Sequence, residues 1–251
     1  MMRAAWLLPL MLGASTAMAE SKDPDPWEGF NRKVFAFNET MDRYVLKPVA
    51  EGYQYVTPKP VDDSVTNFFG NIGDVMVIVN DVGQLKLGQA LSDTARVLVN
   101  TTIGFFGVFD VASHIGLEKH NEDFGQTLGY WGVGSGPYLV LPFFGPSTVR
   151  DTGGLGLNYV YGFGIGDVGA TTAQDYSGYA LWVADVRADL IASEALISGD
   201  KYTFLRSFYL QRRDYLINDG KVQASFDDDW DDFDDEEEED WGDDWDKPAD
   251  E

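Results

Sequence analysis

The chain has 251 residues and no cysteine, so it forms no disulfide and offers no thiolate as a metal ligand or nucleophile. Its 42 acidic residues outnumber its 18 lysines and arginines, which gives a net charge of -24. Residues 227–251 carry 17 of those acids with one lysine, and residues 1–226 hold 25 acids and 17 bases. Neither part has the basic surface that nucleic-acid binding requires, so nucleic acid is excluded as a partner.

Residues 1–19 have the organisation of a secretory signal peptide. Arg3 precedes an apolar stretch from Ala4 to Leu12, and Ala17-Met18-Ala19 supplies the small-x-small pattern that signal peptidase recognises. That stretch is too short to span a bilayer, and no later segment offers about 18 uninterrupted apolar residues. We therefore predict an exported chain whose mature domain occupies residues 20–222. Without a cysteine to carry acyl chains, we expect no lipid anchor.

The first mature segment predicts an amphipathic helix. Asp25 and Glu28 have the spacing of a capping box around Pro26. Asn31 and Asn38, seven residues apart, flank an apolar and aromatic face. The members of that face recur every three or four residues: Trp27, Phe30, Val34, Phe37, Met41 and Tyr44.

The rest of the body predicts further helices separated by proline and glycine. Pro48, Pro58 and Pro60 predict a short connecting segment, followed by a helix over 61–79. Another helix starts at Ser92 or Asp93, with its apolar side chains expected to face inward: Leu91, Ala95, Leu98 and Val99.

Residues 103–145 are rich in glycine, phenylalanine and proline, which predicts short helices and ordered loops. A strand at 138–141 would be confined to a sheet edge by its flanking prolines. A long helix before Gly199 and a second one capped by Asp200 complete the body, which we expect to end at Gly220.

Residues 223–251 form an acidic tail that is too charged to bury a core and is predicted to be disordered. Four aromatic residues within it leave a second interpretation open, a segment that folds on contact with a partner. They are Trp230, Phe233, Trp241 and Trp245.

Three patterns that could indicate an enzyme or a metal site are incomplete. His114 and His120 are six residues apart, which is not the H-E-x-x-H spacing of a zinc helix. The glycines that flank Ser135, at positions 134 and 136, are at the wrong offsets for a G-x-S-x-G nucleophile elbow. The G-x-G-x-x-G match at 164–169 has no strand-helix-strand series around it. We expect neither a metal nor a cofactor, and no catalytic residues.

Successive blocks of the body resemble the MlaA/VacJ family. The first is Asp25-Pro26-Trp27-Glu28-Gly29-Phe30-Asn31-Arg32, directly after the predicted signal peptide. The others extend to Gly220 and comprise residues 47–50, 67–71, 96–104, 109–112, 124–129, 150–151 and 209–213. The resemblance covers nearly the whole predicted mature domain.

This resemblance implies a mainly α-helical fold, a single compact ring-like domain with irregular glycine-, phenylalanine- and proline-rich segments. It implies that the domain is embedded on the periplasmic side of the outer membrane, encloses an amphipathic channel and binds a trimeric porin. It also implies that the protein is not an enzyme. The implied function is to remove phospholipids mislocalised to the outer leaflet and pass them to the periplasmic carrier MlaC, which maintains lipid asymmetry.

Two alternatives stay open. The protein could be a structural, porin-associated factor that moves no lipid. Its retention, expected to depend on an apolar belt and on the porin, could also leave a soluble periplasmic pool.

A phospholipid headgroup crossing hydrocarbon needs polar partners along its route. Arginine suits bidentate phosphate contact. The candidates to line the channel are Asn31, Asn38, Arg96, Asn100 and Arg150. The alternative is a structural role, in which the asparagines cross-link helices and Arg150 pairs with Asp151.

Two further pairs of residues have expected roles in gating and in membrane contact. Gly132 and Gly134 are candidate hinges for a gating loop, because glycine admits large changes of backbone dihedral angle. Trp131 and Tyr138 are candidate aromatic residues at the membrane interface.

Overall fold

The computed structural model describes residues 24–221, so the predictions for the signal peptide and the acidic tail lie outside the described residues. The described part is mainly helical, as predicted. Its α-helices are α1 (Glu28–Met41), α2 (Lys47–Val56), α3 (Lys59–Gly83), α4 (Leu87–Thr102), α5 (Val111–His114), α6 (Phe124–Tyr130), α7 (Val149–Tyr161), α8 (Thr172–Ile191) and α9 (Lys201–Ile217). Its strands, β1 (Tyr138–Leu141) and β2 (Gly145–Thr148), form an antiparallel hairpin in which Tyr138 lies opposite Thr148.

Helices α1 and α2 are joined by one π-helical turn, Asp42–Leu46, rather than by a break. The prediction of a connecting segment from Pro48 onward is therefore wrong for Pro48, which lies in the first turn of α2. Proline has no N–H to donate, and its ring clashes with the carbonyl of residue i-4 in a regular helix. The wider π turn lets the helix continue past that residue.

Asp25 does not cap α1. The helix begins at Glu28 after Trp27, without a side-chain cap. The Asp25 carboxylate instead accepts from Asn31 at 2.8 Å, from Arg206 at 3.0 Å and from the Tyr202 hydroxyl. A buried carboxylate is stable only with such donors, so the long-range contacts outcompete the local cap. The predicted capping box is wrong, and Asp25 ties the start of the chain to α9.

Helix α4 differs from its predicted orientation. Of the four residues predicted to face inward, Leu91 and Leu98 are 73% and 60% exposed and Ala95 and Val99 are half-buried, whereas Asp93, Arg96 and Asn100 are buried. The helix packs against α3 and α5. Periodicity had identified an apolar face but could not say what that face contacts. The helix is amphipathic with its polar face inward.

The same inversion runs through the described residues. Between residues 24 and 221, seventeen polar or charged side chains are buried, compared with eleven apolar ones. A buried apolar cluster consists of Tyr138, Val140 and Tyr202, with Val34 and Phe35 packed against it. Many large apolar side chains lie on the surface instead. No helix in the described range combines the length and hydropathy needed to cross a membrane.

Strand β1 and the last two helices agree with the sequence analysis, and β2, which completes the hairpin, was not predicted. Strand β1 occupies residues 138–141, and the side chain of Asp200 accepts from the N–H of Tyr202 at 3.3 Å at the start of α9. Helix α8 packs on α2, where Tyr53 donates to Asp185 at 2.9 Å. These confirmed elements surround the buried polar side chains.

Candidate functional site

The buried polar side chains of residues 24–221, here called the polar interior, form the candidate site. They come from α1, α3, α4, α6, α7 and α8, from the segments between them and from Asp25 before α1. Four of the five predicted channel residues, Asn31, Arg96, Asn100 and Arg150, belong to it, and Asn38 is half-buried. The five take part in three separate hydrogen-bonded groups.

The first group attaches α1 to the free edge of β1. The Asn31 amide donates to the carbonyl of Tyr138 at 3.0 Å and accepts from the N–H of Val140 at 2.9 Å. Asn38 repeats this arrangement with the carbonyl of Leu141 and the N–H of Phe143, each at 2.9 Å. The Asn31 amide thus substitutes for a neighbouring strand along β1. Asn38, two helical turns further on, holds the start of the hairpin turn, since Phe143 lies beyond the end of β1.

The second group connects α4 to α5. Arg96 lies 3.2 Å from the carboxylate of Asp110 and donates to Ser113 and to the carbonyl of Leu117. Asn100 donates to Asp110 and accepts from the N–H of Ala112, each at 2.9 Å. Burial raises the pKa of Asp110, but its hydrogen bonds and the Arg96 guanidinium outweigh that effect and lower it to about 2. The Asp110 carboxylate is therefore ionised at neutral pH.

The third group joins α6, α7 and α9. Arg150 lies 3.0 Å from Asp151, which also accepts from Arg213 and from the Tyr209 hydroxyl at 2.8 Å each. Arg213 reaches Asp123 as well. Burial opposes ionisation of Asp151, but the two guanidinium groups outweigh it and hold the pKa of that carboxyl below its usual value. The ion pair between Arg150 and Asp151 is the one named as the structural alternative.

A fourth group was missed by the sequence analysis. Asp81 of α3 and Asp93 of α4 are both buried and interact closely. Burial, followed by the interaction with the neighbouring carboxyl of Asp93, raises the pKa of Asp81 to about 7, and within the described residues both carboxylate oxygens of Asp81 are buried without a hydrogen-bond partner. His120 contacts Asp93 at 2.8 Å, and Glu122 pairs with Lys86 at 2.8 Å. The sequence does place one aspartate on the polar face of each helix. Because the polar faces were expected to face outward, the two aspartates were not identified as neighbours.

The predicted hinge and interface residues lie around the start of β1. Gly132 has φ +85, and neither it nor Gly134 has a neighbour within 4 Å of an added Cβ. Trp131 is 61% exposed and donates from its indole nitrogen to the carbonyl of Gly83 at 2.9 Å. Tyr138 is only 1% exposed and belongs to the apolar cluster, so its predicted position at a membrane interface is wrong. Alternation along the strand turns its ring inward.

Between residues 24 and 221, no cluster of three histidine, aspartate or glutamate side chains is placed to hold a metal ion. The two histidines have other contacts: His114 with the carbonyl of Asp110 and His120 with Asp93, each at 2.8 Å.

A polar interior with an apolar exterior defines a class of helical protein suited to apolar surroundings, because hydrocarbon favours polar groups that face inward and are satisfied there. Comparison with known proteins identifies the family within this class. Residues 23–216 match the MlaA lipoprotein family, and the chain belongs to that family. The family's members are transport lipoproteins, and the protein is not an enzyme.

Two curated relatives are similar to this chain over most of its length. The intermembrane phospholipid transport system lipoprotein MlaA of Escherichia coli is 34% identical over 221 residues, covering 85% of this chain and 87% of the relative. The protein of that name from Haemophilus influenzae is 31% identical and covers 82% and 84%.

A solved structure supports the fold as well. The chain is similar to one from work on the "Structural basis for maintenance of bacterial outer membrane lipid asymmetry", with a TM-score of 0.67 and 33% identity. The match covers 77% of this chain and 99% of that one. The protein is therefore related to a system of intermembrane phospholipid transport.

Proposed function

We propose that this protein removes phospholipids mislocalised to the outer leaflet of the outer membrane and passes them to a periplasmic carrier. The observation that carries the proposal is the inversion of the helices, with polar side chains buried and large apolar side chains exposed. Such a body can lie in one leaflet while offering polar partners to a headgroup. Its relatives in Escherichia coli and Haemophilus influenzae bear the name of an intermembrane phospholipid transport system.

The energetics of lipid transfer explain why a protein is needed. Drawing a two-chain phospholipid into water exposes about 30 methylenes at about 0.8 kcal/mol each, so spontaneous desorption is very slow. Moving its charged headgroup through hydrocarbon is costly as well. A ring-like helical body that encloses an amphipathic channel would meet both demands.

Several buried groups retain unused hydrogen-bonding capacity for a headgroup or for water. Within residues 24–221, the Nε atoms of Arg96 and Arg213 and the side-chain oxygens of Asn71 and Gln126 are buried without a hydrogen-bond partner. Native proteins rarely leave such groups unsatisfied. Guanidinium nitrogens are suited to phosphate, so we propose that Arg96 contributes to the polar lining together with Arg213.

Asn31, Asn38 and Asn100 have protein partners for their amide groups, and Arg150 pairs with Asp151 at 3.0 Å through Nη2, which is buried without a hydrogen-bond partner. We retain Asn31, Asn38, Asn100 and Arg150 as positioning residues that hold the hairpin, α5 and α7 beside the route. Gly132 and Gly134 remain the proposed hinges of a gating loop. As partners we propose a trimeric porin, which would fix the body in the outer membrane, and the soluble carrier MlaC.

Lipid transfer in a purified system tests the proposal. Vesicles holding a fluorescent phospholipid are mixed with the purified carrier, with and without this protein in their membrane. We expect the protein to accelerate transfer to the carrier. Porin binding with no acceleration would overturn the proposal in favour of a structural, porin-associated factor.

A further inference from the structure

The segment between α4 and α5, Ile103–Phe109, carries an exposed aromatic pair whose backbone is itself unusual. Phe105 and Phe106 are 67% and 64% exposed, and their rings lie 5.7 Å apart in an edge-to-face arrangement. Ile103 and Phe109 are exposed beside them. We call this segment the aromatic loop.

The aromatic loop is held in a strained conformation. Phe105 and Phe106 have φ angles of 54° and 60°, in the left-handed region that bulky residues avoid. Glycines on either side make it feasible. A Cβ on Gly104 would lie 2.2 Å from the carbonyl oxygen of Phe109, and one on Gly107 would lie 2.5 Å from Asn71. The fold thus stores strain to present two rings outward.

The backbone of the aromatic loop is largely satisfied from within. The N–H groups of Gly104, Phe106, Gly107 and Phe109 donate to carbonyls of residues 99–104 at 2.8 to 3.1 Å. Ile103 and Val108 also donate to backbone carbonyls of the same region. Four of these six N–H groups donate to carbonyls of Val99, Asn100 and Thr101 at the end of α4, so few backbone donors of the loop need a partner from their surroundings, which is compatible with hydrocarbon.

The distribution of charged residues also fits apolar surroundings for the aromatic loop. Residues 97–109 contain no charged side chain, and the charges that flank them, Arg96 and Asp110, pair with each other at the base of the loop. The exposed face of α4 continues the apolar surface through Leu98 and Leu91. Within residues 97–109 the exposed polar side chain is Thr102, so this surface offers mainly apolar contact to whatever covers it.

From these observations we infer that the aromatic loop is a membrane-insertion element, whose Phe105 and Phe106 enter the acyl-chain region of a phospholipid bilayer and orient the body there. The inference rests on the membrane setting of the proposed function and adds the segment that penetrates. Loss of insertion would not by itself abolish contact of the protein with its carrier.

Site-specific labelling tests the inference directly, because the chain contains no cysteine and one engineered thiol is labelled alone. Phe106→Cys is labelled with an environment-sensitive fluorophore, and the protein is added to vesicles of phosphatidylethanolamine and phosphatidylglycerol. We expect a blue-shifted emission that acyl-chain quenchers reduce and aqueous iodide does not. A matched label at Asp63→Cys, whose side chain is 55% exposed beside Lys59, should stay accessible to iodide.

Paired substitutions keep the test informative if the label disturbs the loop. Phe105→Ser with Phe106→Ser should weaken vesicle binding by about tenfold or more, since each ring removes a large apolar area from water. Phe105→Leu with Phe106→Leu should retain most of the binding. Both pairs are checked for native circular dichroism.

Three outcomes would overturn the inference. A label at Phe106 that iodide quenches in vesicle-bound protein would place the loop in water. Protection that arises only when porin is in the vesicles would make it a protein-docking loop. Equal binding by the serine and leucine pairs would remove its role in the membrane. Failure of the proposed function would be seen separately, as absent lipid transfer by protein whose loop is inserted.

Discussion

Asn31 completes the hydrogen bonding of Val140 from a position 109 residues earlier in the chain, accepting its N–H at 2.9 Å. The same amide donates to the carbonyl of Tyr138. A side chain of α1 therefore completes this edge of the two-stranded sheet, next to the Pro24 carbonyl, which accepts from the N–H of Tyr138 at 2.8 Å. Because exposed sheet edges invite mispairing, this contact protects the hairpin as well as positioning it.

The first prediction concerns that contact. Asn31→Leu keeps the volume of the side chain but leaves the buried carbonyl of Tyr138 and the N–H of Val140 without a partner. We expect the free energy of unfolding to fall by about 3 kcal/mol. Asn38→Leu, at a less buried site, should cost less than Asn31→Leu. Chemical denaturation in detergent measures both, and an equal cost at the two positions would contradict the geometry.

The second prediction concerns Asp81 and pH. The pKa of Asp81 in the folded protein, about 7, lies above the value near 3.9 of an unfolded chain. The folded state therefore keeps a proton that the unfolded state has released between these values. The stability that this proton confers is complete below about pH 4 and is lost as the pH rises through about 7.

Asp81→Asn supplies a neutral partner for Asp93 at every pH. We expect the variant to exceed the wild type by about 2 kcal/mol in free energy of unfolding at pH 8, and by little at pH 4. Asp63→Asn, which changes an exposed carboxylate, is the control and should follow the wild type. Identical pH dependence in Asp81→Asn and the wild type would refute a shared proton between the two acids.

The third prediction concerns the pair at the base of the aromatic loop. Arg96→Gln removes the guanidinium that pairs with half-buried Asp110 and donates to Ser113 and to the carbonyl of Leu117, and it should lower the free energy of unfolding by about 2 kcal/mol, because these acceptors lose a charged donor. Lys59→Gln removes an exposed ion pair and should have no measurable effect. Thermal unfolding by circular dichroism compares the two, and similar midpoints would contradict a structural role for Arg96.

The fourth prediction separates the two candidate hinge glycines. Gly132 has φ +85, so alanine is strained at this position. Gly132→Ala should destabilise the observed loop conformation by about 1 kcal/mol. Gly134 has no positive φ and open space around it, so Gly134→Ala should be nearly neutral. We expect slower lipid transfer for Gly132→Ala than for Gly134→Ala. Equal rates would argue against Gly132 as a hinge.

The sequence was sufficient for several local elements and insufficient for their orientation. The helix capped by Asp200 and the strand at Tyr138 follow from local signals, and both are confirmed. Leu98 illustrates what periodicity cannot predict. Its spacing indicates an apolar helix face, but an apolar face can pack into the core of a protein in water or contact hydrocarbon on the outside. Whether such a face turns inward depends on the surrounding solvent, which periodicity does not encode.

Long-range pairing was equally inaccessible. Asp25 satisfies every local rule for a helix cap, yet its partners Tyr202 and Arg206 lie far along the chain. Asp81 and Asp93 lie on different helices, so their coupling depends on how α3 packs on α4. Only a packed structure reveals these groups.

The most direct test of the central claim is the amount of phospholipid exposed in the outer leaflet of intact cells, measured with a membrane-impermeant amine reagent. It is compared in wild-type cells, in cells lacking the gene and in cells with the gene restored. Removal of mislocalised lipid by this protein predicts accumulation in the deletion strain and its reversal on restoration. Unchanged surface phospholipid in the deletion strain would contradict the claim and favour a structural partner of the porin.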